Sequence, residues 1–231
     1  MKLAIITARG GSKRIPKKNI REFCGKPILA YSIEAALDSR MFDEVMVSTD
    51  SQEIADIATG YGAAVPFFRN KETSGDYATT ADVLEEVLDA YRQRGKEFSL
   101  MCCIYPTAPF ITGRRLERAV KQLEGSDADS LMPVVRFDYP PQRAVVLRNG
   151  LLEYQYPEYK NMRSQDLEPV YHDCGQFYVC RTEAFKRYKS LITPKTIPFV
   201  ISVEEVQDID NDSDWKIAEI KYSLLRTKKE G

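Results

Sequence analysis

A chain of 231 residues, 43% hydrophobic and 29% charged, has room for one α/β domain with a sizeable core, or a domain with a small excursion. Its formal net charge of −1 argues against a dedicated nucleic-acid binder, which is usually basic overall. No apolar run approaches the roughly 18–20 residues of a membrane span, and five irregularly spaced cysteines without a CxxC pair argue against a disulfide framework or a zinc site.

Met1-Lys2 leads straight into Leu3-Ala4-Ile5-Ile6, expected as a buried strand, so no secretory leader is expected and a reducing cytoplasm is. The next stretch, Thr7 to Asn19, is glycine-rich and then cationic. Gly10, Gly11 and Ser12 are expected to turn backbone N–H groups toward a ligand, the glycines permitting positive φ. Arg9, Lys13, Arg14, Lys17 and Lys18 add charge that no acid interrupts, a combination suited to holding phosphates. The spacing is neither that of the P-loop nor that of a dinucleotide fingerprint.

After a turn at Cys24 to Pro27, helices are expected over Ile28 to Ser39 and 51–61, and strands over Glu44 to Ser48 and Ala64 to Phe68. This β-α-β-α-β order predicts a parallel sheet covered by helices, with ligands at the carboxyl ends of its strands. Arg69 to Thr79 reads as a polar, mobile active-site segment, and Thr79 or Thr80 as the cap of a helix carrying Val83, Leu84, Val87, Leu88 and Tyr91. The strand Leu100 to Tyr105 runs into Pro106-Thr107-Ala108-Pro109, whose prolines hold Tyr105 and Thr107 on a stiff backbone. A helix over 112–124 and a strand over Ser130 to Arg136 follow.

From Phe137 to Tyr171 the helical period disappears. A hairpin turn is expected at Asn149-Gly150, and the aromatic content suggests packing on a partner subunit. The regular pattern resumes with a strand over Gly175 to Cys180, a helix over 182–188 and a strand over Thr196 to Ser202. A last helix, capped by Asp212 or Ser213, carries Trp215, Ala218, Tyr222 and Leu225, and 226–231 reads as a charged tail.

Asp208-Ile209-Asp210 is the second constellation. In an extended chain its two carboxylates share one face, and beside a phosphate site such a pair suits Mg²⁺. Asp50 is either in the cleft or in a turn or cap. His172, the only histidine, lies beside Asp173 and is expected to be a hydrogen-bonded structural residue. Arg143, Lys160 and Arg163 are the cations of the excursion, and Arg suits a substrate carboxylate.

Ala8-Arg9-Gly10-Gly11-Ser12-Lys13-Arg14-Ile15-Pro16-Lys17-Lys18-Asn19 resembles the signature loop of the CMP-sialic acid synthetase (acylneuraminate cytidylyltransferase) family, with Thr7 where that family usually has Pro. Val47-Ser48-Thr49-Asp50, Pro106-Thr107-Ala108-Pro109 and Gln207-Asp208-Ile209-Asp210 also match, in order. Cys103-Ile104-Tyr105 and Tyr171 to Tyr178 are most similar to the pseudaminic acid branch. The resemblance implies a three-layer Rossmann-like nucleotidyltransferase fold in one domain, 1–231, with a mainly parallel sheet and 137–171 as a dimerisation arm reaching into the neighbour's cleft.

It implies a cytidylyl transfer from CTP to an acidic nine-carbon sugar, pseudaminic acid first, with pyrophosphate released and Mg²⁺ as cofactor. N-acetylneuraminate or Kdo as the acceptor, or an RNA-binding module without catalysis, are the alternatives. On this reading Ala8, Arg9, Gly10, Gly11, Ser12, Lys13, Arg14, Lys18, Asn19 and Arg69 bind the nucleotide. Asp208 and Asp210 hold the metal and, with Arg9 and Lys18, support catalysis. Tyr105, Thr107, Arg163 and Gln176 face the sugar, and the base is Asp210 or a metal-bound hydroxide. A homodimer is expected, with no nucleic-acid or membrane partner.

Overall fold

The computed structural model describes residues 1–230, apart from the side chains of residues 228–230. Strand β1 (Lys2–Thr7) opens the chain, and the basic loop ends in a single 3-10 turn, Lys18–Ile20. A tiny hairpin, β2 (Glu22–Phe23) and β3 (Lys26–Pro27), leads into α1 (Ile28–Asp38), β4 (Glu44–Ser48) and α2 (Gln52–Gly60). Then come α3 (Lys71–Ser74), α4 (Thr80–Gln93), β5 (Leu100–Ile104), α5 (Gly113–Glu124) and β6 (Ser130–Arg136). The excursion holds the hairpin β7 (Val145–Arg148) and β8 (Leu151–Tyr154). The chain finishes with β9 (Tyr171–Asp173), β10 (Phe177–Arg181), α6 (Thr182–Tyr188), β11 (Thr196–Val200) and α7 (Asp212–Glu230).

The main sheet runs β11-β6-β10-β5-β1-β4, with β9 added beside β6. The β1–β4, β1–β5 and β6–β11 pairs are parallel, whereas β10 is antiparallel to both neighbours. Alternation along β1 decides the layers. Ala4 and Ile6 join one apolar cluster with Leu29, Ile54 and Leu116 of α1, α2 and α5. Leu3 and Ile5 join another with Leu84, Tyr91 and Phe185 of α4 and α6. The result is three layers, helix on sheet on helix.

A third cluster positions the site. Ile15 of the basic loop, Phe23, Tyr31, Ile209 and Trp215 are buried together. Phe23 meets Trp215 edge-on at 5.6 Å and Tyr222 at 5.5 Å between ring centres. These contacts fasten α7, the hairpin β2–β3, the basic loop and Ile209 to one another, although Ile15 and Ile209 lie far apart in sequence.

Several expected elements differ. No strand forms over Ala64 to Phe68; one isolated bridge pairs Ala64 with Met46. Ala64 exchanges backbone bonds with Val45 and Val47, but Pro66 has no N–H to continue a ladder. The segment after Arg69 is partly ordered by α3, and Glu86 accepts from the Asn70 N–H (2.7 Å) and the Thr73 hydroxyl. Thr79 caps α4 in a capping box with Asp82. The cap of α7 is Asn211, whose Oδ1 accepts from the N–H groups of Ser213 (2.9 Å) and Asp214 (3.1 Å), rather than Asp212 or Ser213. The expected charged tail continues α7 to Glu230, and Gly231 lies outside the described residues. The Asn149-Gly150 turn forms as expected, with φ of 51° and 79°. All five cysteines are free.

Candidate active site

The basic loop leaves the carboxyl end of β1 and is held by backbone bonds together with the side chains of Asp50 and Asn19. Ala8 N–H donates to the Ser48 carbonyl at 2.9 Å. The Asp50 carboxylate accepts the Gly10 N–H at 2.7 Å, so Asp50 is a clamp on the loop. Ser12 N–H donates to the Gly10 carbonyl at 3.0 Å. Two of the three N–H groups expected to face a ligand are therefore taken by protein acceptors, that of Gly10 by Asp50 and that of Ser12 by the Gly10 carbonyl. Neither Gly10 nor Gly11 has positive φ; the left-handed residue of the loop is Lys17, at 51°. Gly10 matters for space, because a Cβ there would stand 3.2 Å from Ser51 Cβ. Asn19 is buried, and its amide donates to the Arg9 carbonyl at 2.8 Å.

Above this loop lies a cavity of about 410 Å³. Arg9, Ser12, Lys13, Arg14, Lys18, Asn19, Arg69, Tyr105 and Thr107 line it. Among its described lining residues are five cationic side chains and a single carboxylate, that of Asp76. Ala8, Gly10 and Gly11 lie outside the lining and carry the loop's backbone.

Arg69 is buried, with its Nε donating to Ser48 Oγ at 3.0 Å and Nη2 to the Ser48 carbonyl at 2.7 Å. Burial pushes its pKa down from the usual guanidinium value, opposed by Asp50 and Glu86, and an arginine stays charged regardless. Burial also pushes the Lys18 ammonium down, opposed by Asp210 and Asp208. Its Nζ donates to the Ile209 carbonyl at 2.6 Å.

Arg14 pairs with Asp210 at 2.6 Å. Thus Lys18 and Arg14 tie the loop to the Asp208-Ile209-Asp210 segment, where Ile209 is buried, Asp208 exposed and Asp210 half-exposed. This alternation sets the two carboxylates on the side opposite the core, as the sequence predicts.

A second cavity, of about 520 Å³, adjoins the first through Tyr105, which lines both. Asp208, His172, Asp173, Tyr178, Val135 and Val203 line it with Tyr105. Tyr178 OH donates to Asp173 Oδ2 at 2.6 Å, and Gly175 N–H donates to Oδ1 at 2.8 Å. Burial first, then the bond to Asp173, pushes the Tyr178 phenol pKa far up, so it stays protonated. Tyr178 meets Tyr105 edge-on at 5.6 Å.

Gln176 is buried outside this lining; its amide donates to the Glu205 carbonyl at 2.8 Å. Arg163 lies on the excursion, exposed and paired with Asp166 at 2.8 Å, and reaches neither cavity. Asp173, Tyr178 and Asp76 were not singled out from the sequence as ligand contacts. For Tyr178 a signal existed, since it shares a strand face with Gln176.

No group of three or more His, Cys, Asp or Glu side chains among the described residues could cage a metal ion. Asp208 lines the second cavity, whereas Asp210 lines neither and is paired with Arg14; one or two carboxylates is the number that Mg²⁺ takes when phosphate oxygens and water complete its shell.

The arrangement is a cationic cavity suited to a polyphosphate and, sharing Tyr105 with it, a mixed polar and apolar cavity, with Asp208 lining the second and Asp210 paired with Arg14 of the first. Known proteins share the fold and the sequence family. Solved CMP:2-keto-3-deoxy-manno-octonic acid synthetase, in complex with CTP, superposes with a TM-score of 0.70 at 16% identity, over 98% of this chain and 99% of that one, which speaks to the fold. Pseudaminic acid cytidylyltransferase of Campylobacter jejuni is 40% identical over 96% of both chains. CMP-N,N'-diacetyllegionaminic acid synthase of Legionella pneumophila is 35% identical over 94% of both. Residues 3–197 match the sequence profile of the cytidylyltransferases, a span that stops short of Asp208. On these matches and this fold, the chain is a nucleotidyltransferase and belongs to the cytidylyltransferase family.

Proposed function

We propose that the chain transfers CMP from CTP to the anomeric hydroxyl of a nonulosonic acid, with pseudaminic acid preferred, and releases pyrophosphate. The observation that carries this reading is the meeting of two cavities at Tyr105, one lined by five cations and the other by Asp208, Tyr178 and apolar side chains. The sugar oxygen attacks the α-phosphorus, a P–O bond to it forms, the P–O bond to pyrophosphate breaks, and the hydroxyl proton passes to a base or to water. Such a transfer depends on alignment and charge neutralisation rather than on a covalent enzyme intermediate. Arg9, Lys13, Arg14 and Lys18 neutralise and orient the triphosphate, Arg69 and Asn19 shape the rest of the nucleotide cavity, and Tyr105 separates the two substrates. Mg²⁺ held by Asp208 and Asp210 would supply further charge neutralisation at the phosphates.

The sugar preference rests on the identity with the pseudaminic acid enzyme and on the lining of the second cavity. Val135, Val203 and Val206 suit the 9-deoxy methyl end of pseudaminic acid. A terminal hydroxyl of N-acetylneuraminic acid set against these three valines would lack a partner, and an unpaired buried polar group costs about 1–3 kcal/mol, roughly tenfold or more in discrimination. At saturating CTP, kcat/KM should favour pseudaminic acid by that factor. Equal values, or the reverse order, would refute the choice of sugar and leave the transfer reaction standing.

The excursion is proposed as a dimerisation arm. Leu147, Leu151 and Leu152 on the β7–β8 hairpin are 76%, 70% and 69% exposed. A two-stranded ribbon showing so much apolar surface is marginal by itself and calls for cover. Light scattering at micromolar concentration should give twice the mass of the chain, and Leu147→Asp with Leu151→Asp should give a monomer. A monomeric wild type would remove the arm's role. The free thiols suit a reducing compartment, and the cytoplasm, where CTP is made, is the proposed location.

A further inference from the structure

We propose that Asp76 is a built-in competitor for the polyphosphate and sets how tightly the cavity holds phosphorylated ligands. Its carboxylate bridges two cations of the basic loop. Oδ1 lies 3.1 Å from Arg9 Nη1, and Oδ2 pairs with Lys13 Nζ. The neighbouring Gly75 carbonyl accepts from the same Arg9 nitrogen at 3.2 Å. One oxygen on each of two cations is the contact that a phosphate group would make. The inference rests on the reading that this cavity takes a nucleoside triphosphate.

The strap that carries Asp76 is short and tied at both ends. On one side Glu86 holds Asn70 and Thr73 beside α3. On the other the Thr79–Asp82 capping box starts α4. Between them Tyr77 is fully exposed, so its ring does not pack the strap down. The contacts of Asp76 and Gly75 with the loop hold the tip, and they are exposed enough to exchange: the Asp76 and Lys13 side chains are 44% and 77% accessible. The hydrogen bond from Lys13 holds the Asp76 carboxyl below the usual aspartate range, so it is ionised when it competes. A phosphate that reaches Arg9 and Lys13 must displace this carboxylate or lie against its charge. The competition acts on ligands in proportion to the phosphates they place on the loop. It weakens CTP binding and hastens release of pyrophosphate.

The test is calorimetric titration of the wild type, Asp76→Asn and Glu72→Gln with CMP, CDP, CTP and pyrophosphate at fixed Mg²⁺. Glu72→Gln removes the same charge from the same strap without touching the two cations. Freeing two cations from an exposed pairing should tighten CTP and pyrophosphate by about fivefold. The gain should rise from CMP to CTP, and Glu72→Gln should change nothing. An unchanged or weaker CTP affinity in Asp76→Asn would overturn the proposal, as would an equal gain in Glu72→Gln. If the wild type bound CTP and pyrophosphate not at all, the nucleotide reading of the cavity would fall and this inference with it.

Discussion

Asp210→Ala should lower kcat by about 10²-fold or more, the cost of removing one preorganised electrostatic group from a charge-transfer site. It should barely alter stability. The Asp210 side chain is 41% exposed and its one ion pair, with Arg14, is solvent-facing. Exposed pairs contribute at most about 1 kcal/mol, so the melting temperature should fall by no more than roughly 2–4 °C. Excess Mg²⁺ should restore little, because the lost group is a ligand rather than a screen. Wild-type activity that persists undiminished in excess EDTA, or a fully active Asp210→Ala, would end the metal reading.

Lys18→Ala should raise KM for CTP and lower kcat together. Loss of a charge-assisted contact costs about 1.5–3 kcal/mol, or roughly 10- to 150-fold. The structure gives a reason for the second effect. Lys18 Nζ also holds the Ile209 carbonyl at 2.6 Å, between the two carboxylates. Removing it frees the Asp208–Asp210 segment from the loop on that side, so the carboxylates lose alignment as well as the phosphates losing a cation. Near wild-type kinetics across a CTP titration would exclude both roles.

The parts of the site legible in the sequence are those whose members sit close together in the chain. Arg9 to Asn19 could be read as a unit because one loop carries its cations, and Asp208 and Asp210 because a spacing of two puts them on one face. The reason these two units meet was not legible. It lies in Ile15 and Ile209 sharing a cluster with Phe23 and Trp215, which no local pattern announces. Asp76 pairs with Arg9 across 67 positions, and Asp173 becomes visible only when Tyr178 comes down on it.

Most helices were legible from their period and caps. The apolar residues from Ala64 to Phe68 suggest a strand, and Pro66 decides against it. The antiparallel course of β10 between β5 and β6 carries no local signature, since direction in a sheet is fixed by connections and not by composition. The glycines of the basic loop misled in a different way. They suggested positive φ, but the loop is shaped by Asp50 and Asn19, and Gly10 is needed for close approach to Ser51.

Incubation of the protein with CTP, Mg²⁺ and a set of nonulosonic acids, with pyrophosphate and the CMP-sugar both quantified, tests the proposed reaction most directly. One pyrophosphate per CMP-sugar is expected, formed only when CTP and an acid sugar are both present, and fastest with pseudaminic acid. No pyrophosphate above the sugar-free background with any of the acids would contradict it.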